Sequence, residues 1–531
     1  MTPATVALAE DRYVRAERGL VVAQHPQAAE AGSAAFQAGG NVVDAAVAAV
    51  FGAAVADVGR TGIGGYGGHL LYHEAASGKT WLVDFFSRAP AAAVERRFSA
   101  MSPEMSREVC QTGPLAVGAP AVVAGLAAAH QRFGTLPWAE LLAPAVRLAE
   151  QGIHFPARGR DQVFDEAPRI NQFAETTRVF IDAWDGEELR QPDLARTLRV
   201  LAEEGASALY RGDIGAEIVR YLRNEGGLLD QADLTRCKAD IGLATVARYR
   251  SVDVCTTGAA GGGGVLVPLL AALDHFDLAS LDPLGWERMA LLAAANGRIW
   301  PDRIALSSGM EAGNPGEQLL SLQYAAQVAA DIRAGLPTVP GRSDLNGCTD
   351  HVVAADVAGN VVAVTTTLQM LMGSGVTVPG TGIVLNDAMG LFDQRPGRPN
   401  SIAPGKRVLT NMCPTIVLDE GRPRLATGAS GGRRIPSMVT QALTLMVDHG
   451  WTGDRALAAP RYHHEGNKTL IVEDGLTAAT LERLRAIGYT MDIRPWGGTD
   501  LGGQAPTLWF DRDRNLFGAP DPRRHGGAAA W

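Results

Sequence analysis

Cysteine is scarce in this 531-residue chain, and its few copies are poorly placed for covalent or metal chemistry. Cys110, Cys237, Cys255, Cys348 and Cys413 are odd in number, widely scattered and never spaced as CxxC. That speaks against a disulfide framework or a zinc site and fits a reducing cytoplasm. Long apolar runs are also missing. The longest, Ala45 to Ala56, has 12 residues, too short to cross a hydrocarbon core of about 30 Å. The opening stretch, MTPATVALAEDRYVRAERG, mixes charges of both signs and holds no apolar segment of the secretory kind. A cytoplasmic protein without a membrane partner is expected. Positive charge is not in excess: 48 Lys+Arg face 57 Asp+Glu, a formal charge of −9. With a pI near 5.7, a nucleic-acid partner, which needs a clustered basic face, is not expected. No GxSxG elbow occurs, which argues against an α/β-hydrolase.

What is present is ordinary for a globular enzyme, apart from glycine. Hydrophobic residues make up 46% and charged residues 20%. The 62 glycines, about 12% against a usual level of roughly 7%, have no period of three and point to many tight turns. The length allows two to four domains or one large layered unit. Pro26 to Gln37 reads as a helix ended by Gly39-Gly40, and Asn41 caps an Ala/Val-rich helix to about Asp57. After the glycines of 62–68, His69–His73 and Lys79–Phe85 read as a hairpin. Leu115 to Phe133 and Trp138 to Gln151 read as successive helices, and a helix-like run follows Gly258–Gly264. Near Asp344 the character changes. His351–Asp356 and Val361–Thr367 read as paired strands, as do Pro414–Asp419 and Pro423–Thr427, before a helix from about Pro436 to His449. Layers of helix and sheet packed into one unit fit this order better than separate beads.

Single motifs are ambiguous. Gly62-Ile63-Gly64-Gly65-Tyr66-Gly67 matches GxGxxG, but a helix precedes it and a hairpin follows, the reverse of a dinucleotide-binding turn. His463-His464 beside Glu465 invites a metal reading, yet adjacent side chains diverge, so a structural or supporting role is favoured and no metal is expected. Asn346-Gly347-Cys348-Thr349-Asp350-His351 lies where a loop enters a strand. Thr349 there is either a plain β-former or a nucleophile, and a hairpin would bring Thr367, at the far end of the next strand, beside it. Gly428-Ala429-Ser430-Gly431-Gly432 is either a simple strand-to-helix turn or a set of backbone N–H groups that converge on an oxyanion.

Eleven stretches in order resolve the ambiguity by resemblance. They are GGNVVDAAVA (39–48), GIGGYGG (62–68), DFFSRAP (84–90), LAVGAPAVVAGL (115–126) and LYRGDI (209–214). GCTDHVVAADVAGNVVAVTTT (347–367), GIVLND (382–387), PGKRVLTNMCPTIV (404–417), TGASGGRRI (427–435), APRYHH (459–464) and APDPRR (519–524) complete the series. Together they resemble the gamma-glutamyltransferase (gamma-glutamyltranspeptidase) family of N-terminal-nucleophile hydrolases along nearly the whole chain. The resemblance implies an α+β fold, a four-layer αββα sandwich, made as a precursor that cuts itself. Cleavage between Cys348 and Thr349 would give a large piece, 1–348, and a small one, 349–531. The two pieces of one precursor would stay partners, with a homodimer of such heterodimers as one assembly consistent with the family. The catalytic Thr falls on Thr349, with Cys348 as the alternative N-terminal nucleophile. The Thr that hydrogen-bonds it falls on Thr367 and the oxyanion pair on Gly431 and Gly432. A freed α-amino group, with a reference pKa near 7.7–8.0, would serve as base for its own hydroxyl. No cofactor is implied, and the expected substrate is a small-molecule amide.

The departures concern the substrate. Where the family has an Arg that grips the γ-glutamyl α-carboxylate, this chain has Phe86, with Arg88 two residues on as a substitute from another direction. The residues that hold the amino group fall on Ala388 and Leu391, a Ser pair becomes Thr410-Asn411, and a strand-end Asn becomes Gln369. Each lost charge-assisted bond is worth about 1.5–3 kcal/mol. A non-γ-glutamyl amide is therefore expected: a carboxylated one if Arg88, Arg433 or Arg434 reads it, or an apolar one if Phe86, Leu391 and Met372 do. A true glutathione hydrolase, an oxamate-type amidohydrolase, a biosynthetic carbon–carbon hydrolase and a non-catalytic binding homologue remain as alternatives.

Overall fold

The computed structural model describes residues 12–155, 157–309, 314–335, 347–498, 501 and 503–531. The first 11 residues, read above for a targeting pattern, and Asn346 lie outside them. The first two helices begin where side chains take up free backbone N–H groups. His25 accepts from Gln27 N to open the helix Pro26–Gln37, and Asn41 forms a capping box with Asp44 at the head of Val42–Ala56. The second helix is buried nearly throughout, as its lack of polar residues requires. One expected helix is shorter than its sequence suggests. The segment Leu115–Phe133 turns helical only at Val122. Pro120 restricts the residue before it. In addition, Gly118 N is spent on Asn386 Oδ1 at 3.1 Å and Ala119 N on Arg88 O at 3.2 Å.

Two seven-stranded sheets form the centre. The first runs Gly527–Ala530, Gly19–Ala23, Cys348–Asp356, Val361–Gln369, Gly67–Glu74, Lys79–Phe86 and Asp240–Leu243. The second runs Val14–Ala16, Leu516–Ala519, Thr507–Phe510, Arg422–Thr427, Thr415–Asp419, Val252–Thr256 and Thr245–Tyr249. Every pairing within both is antiparallel. Strand periodicity sorts the core into layers. Val353 and Ala355, with Leu20 and Leu71 of the same sheet, face the other sheet, where Ile416 and Leu508 meet them. Val352 and Ala354, one residue off, face the helices Pro26–Gln37 and Val42–Ala56. A third apolar cluster joins the second sheet to the helices Gly263–Leu273, Trp286–Leu306 and Ile435–Asp448. The result is the αββα sandwich. Among the described residues no helix is long and apolar enough to cross a membrane.

Candidate active site

The hairpin Cys348–Asp356/Val361–Gln369 brings its two ends together, but not as a regular ladder. Cys348 faces Gln369 and Asp350 faces Thr366, so the register slips at Thr349. Such a bulge re-aims one side chain. Across from it Gln369 adopts φ +98 and Met372 φ +63, left-handed conformations that cost a non-glycine residue about 1–3 kcal/mol. Buried anchors hold them there. Thr367 Oγ1 accepts from Gln369 N at 2.8 Å, Asp387 Oδ1 accepts from Met370 N at 3.0 Å, and Gly59 O accepts from Met372 N at 2.8 Å. Burial pushes the Asp387 carboxyl up to about 8. Thr367 Oγ1 in turn donates to the carbonyl oxygen of Cys348, the bond next to Thr349. With its amide turned to satisfy its neighbours, Gln24 donates to Thr349 O at 3.1 Å and accepts from His351 N at 3.1 Å.

Thr349 opens onto a cleft of about 350 Å³. Thr367 and Gln369 line it from the same hairpin, Leu391, Thr410 and Asn411 from the loops after Val384, and Gly432 and Arg433 from the glycine turn. Tyr66 closes one side: its OH lies 3.0 Å from Thr410 Oγ1, and burial raises its pKa, keeping it neutral. Close packing dictates the glycine turn. A Cβ on Gly428 would sit 2.2 Å from the His351 ring, and one on Gly347 2.9 Å from Gly432 Cα. Gly431 and Gly432 take φ +126 and +60, and the turn feeds the helix Ile435–Asp448, whose positive dipole end lies behind it. Among the described lining residues Arg433 is the only charged one. A buried chain of contacts holds it: Arg433 Nη1 to Glu465 Oε2 at 3.1 Å, Glu465 Oε1 to His463 Nε2 at 2.9 Å, and His463 Nδ1 to Ser437 Oγ at 2.9 Å. His464 turns away to Ala293 O and Asn467 O, so the two histidines do not converge. Among the described residues no group of three His, Cys, Asp or Glu is placed to hold a metal ion.

Thr349, Thr367, Gln369, Leu391, Thr410, Asn411 and Gly432 thus meet in one place, while Gly431, Phe86, Ala388, Arg88, Cys348 and Met372 do not line it. Gly431 sits just behind the lining, at the N-terminal cap of the turn. Phe86 is 4% exposed and forms, with Ala388, Tyr66 and Met412, an apolar cluster beneath the cleft. Its ring lies edge-on to His69 at 4.2 Å and under the Arg407 guanidinium at 5.3 Å. Arg88 lines a different cavity of about 780 Å³ with Asp233, Arg236 and Lys238. Its backbone bridges Arg407 and its Nη1 donates to Gly405 O at 3.3 Å, which turns it away from the nucleophile. Cys348 faces the helix side, where Arg60 Nη1 donates to its sulfur at 3.5 Å. Met372 is fully buried against Gly59 and does not line the cleft. Sequence reading missed Tyr66 and the anchors Asp387 and Asn386. The one available signal was their place inside the matched stretches GIGGYGG and GIVLND.

A model of the gamma-glutamyltranspeptidase family matches residues 28–531. The Acylase ACY 1 proenzyme of Pseudomonas sp. (strain SE83) is 33% identical, over 98% of this chain and 95% of its own length. The glutathione hydrolase proenzyme of Bacillus subtilis (strain 168) is 30% identical, over 96% of this chain and 91% of its own. Among solved structures, the cephalosporin acylase from Bacillus halodurans superposes with a TM-score of 0.89 at 26% identity, covering 98% of this chain and 97% of that one.

Proposed function

The chain belongs to the gamma-glutamyltranspeptidase family of N-terminal-nucleophile hydrolases, and we propose that Thr349 is its nucleophile, first against its own backbone and then against an amide. The observation that carries this reading is the Thr367 hydroxyl bonded to the Cys348 carbonyl beside a bulged Thr349. That donor polarises the carbonyl which Thr349 Oγ1 attacks. The C–N bond breaks as the C–O bond forms, the proton of the hydroxyl passes to the leaving nitrogen, and water hydrolyses the resulting ester. The freed amino group then deprotonates Thr349 Oγ1 for attack on a substrate amide. The N–H groups of the Gly431–Gly432 turn receive the oxyanion, and the amine leaves from an acyl-Thr349 intermediate that water or another amine resolves.

The acyl group read by this cleft is one with a carboxylate and no ammonium. Arg433, held by Glu465, brings the one cation to the described lining, and no lining carboxylate is available among the described residues to pair an amino group. Phe86 and Ala388 lie in the apolar cluster below. Burying an unpaired ammonium costs several kcal/mol. Relatives named acylase, one of them solved as a cephalosporin acylase, support hydrolysis of such an acyl amide. On fully processed protein, kcat/KM for glutaryl-p-nitroanilide should exceed that for γ-glutamyl-p-nitroanilide by about tenfold or more, the equivalent of one lost charged bond. A preference of that size for the γ-glutamyl substrate would overturn the specificity and return the chain to the glutathione hydrolases.

A further inference from the structure

Behind the scissile bond, on the face away from the cleft, lies a second group of ionisable side chains that the mechanism above does not use. Cys348 and Asp350, either side of the bulge, both reach the helix side, where Arg60 and Asp57 lie. Asp350 is 1% exposed and its two carboxyl oxygens accept no N–H or O–H donor. They face the carboxyl of Asp57, whose Oδ2 is likewise buried without a hydrogen-bond partner. Asp57 caps the end of the helix Val42–Ala56 and is 3% exposed. Its Oδ1 pairs with Arg60 Nε at 3.1 Å, and the same guanidinium reaches Cys348 Sγ. Arg60, 5% exposed, also donates to Gln162. One network therefore grips Cys348 and Asp350, the residues on either side of Thr349, and leaves Thr349 between them to bulge toward the cleft.

We propose that the Asp57–Asp350 carboxyl pair, tied to Arg60, is a positioning clamp for self-cleavage that works only while it holds one proton. The inference rests on the self-cleavage proposed above. Two carboxylates have no hydrogen to share, so their contact exists only when one is protonated. Burial and the facing carboxyl raise Asp350 well above the ordinary range, while Arg60 offsets part of the rise at Asp57. The ion pair with Arg60 favours Asp57 as the ionised partner and leaves the shared proton to Asp350. The other charged and titratable groups that face the pair are Arg524, His25 and His525, across a cavity of about 430 Å³ that also contains Gln24 and Gln504. Burial drives His25 down to about 4, which leaves it neutral. The sign follows. A raised carboxyl stabilises the clamp at low pH, and the contribution is lost as pH rises through the raised value. Two like charges then oppose each other and release Asp350 from its place.

The test follows the processing rate of full-length precursor, made by cell-free synthesis and shifted into buffers from about pH 6 to 9.5. Wild type should process fast at neutral pH and slow by about tenfold on the alkaline side. Asp350→Asn keeps an N–H to donate to Asp57 and has no proton to lose. It should process within about threefold of wild type at neutral pH and lack the alkaline fall. Asp350→Ala should be slower by about tenfold at every pH. If that variant fails to fold, judged by its melting temperature in a Thr349→Ala background, the Asp350→Asn profile decides alone. The clamp is refuted if wild type shows no alkaline fall or if Asp350→Asn falls as wild type does. Cleavage of Thr349→Ala at the same bond would refute the nucleophile instead, whatever the clamp variants do.

Discussion

Thr367 has two partners in the uncut chain, and both bear on the same bond. Its hydroxyl donates to the Cys348 carbonyl and accepts from Gln369 N. Thr367→Val keeps the shape and removes both bonds. Loss of one preorganised donor to a developing oxyanion costs about 10²–10³ in rate. Thr367→Val should therefore accumulate full-length precursor, with a processing half-time longer by about that factor on a denaturing gel. A half-time within about threefold of wild type would show that the contact is incidental. At this scale the sequence was partly readable. The hairpin pattern alone places Thr367 beside Thr349, because its ends must meet. Arg88 shows the limit: two residues beyond Phe86 it could substitute for a lost Arg only if the chain ran straight. Its backbone bridge to Arg407 turns it into another cavity. Asp387 and Asn386 look like ordinary loop residues until burial shows each carboxyl or amide spent on backbone N–H and C=O groups.

At the scale of elements, the site depends on two segments packed backbone to side chain. The turn after Arg422–Thr427 begins at Gly428 because the ring of His351 occupies the space a side chain would need. His351 is itself fixed: its Nδ1 bonds Thr365 Oγ1 at 2.8 Å, and burial lowers its pKa to about 3. The ring cannot leave for solvent, so strand and turn must part instead. Gly428→Ala should cost about 1–3 kcal/mol as an overpacked contact, measured by urea unfolding of the uncut Thr349→Ala precursor. It should also slow amide turnover by the processed protein, since Gly431 and Gly432 ride on the same turn. Unchanged stability would mean that the turn moves freely and does not set the oxyanion geometry. Periodicity and caps placed most of the elements they named within a residue or two, from Pro26–Gln37 to Ile435–Asp448. The helix expected from Leu115 failed because tertiary bonds claim Gly118 N and Ala119 N, which no local pattern reveals.

Across the whole molecule the order of strands matters more than their count. In the first sheet Cys348–Asp356 and Val361–Gln369 lie between Gly19–Ala23 and Gly67–Glu74. In the second, Thr415–Asp419 pairs with Val252–Thr256, and Leu516–Ala519 with Val14–Ala16. Chain from both sides of the Cys348–Thr349 bond is therefore woven through both sheets. A cut there detaches only the Cys348–Gln369 rung and leaves the rest of every ladder paired, so the pieces should separate only when the fold is lost. The resemblance anticipated this sandwich, whereas composition alone went no further than layered helix and sheet. The most direct measurement is the intact mass and N-terminal sequence of protein purified under native conditions, beside its Thr349→Ala variant. The account predicts one native species that resolves on denaturation into chains of 348 and 183 residues. The smaller should begin Thr-Asp-His, and the variant should stay whole at 531 residues. A full-length chain with full activity, or a small piece that begins at Cys348, would contradict it.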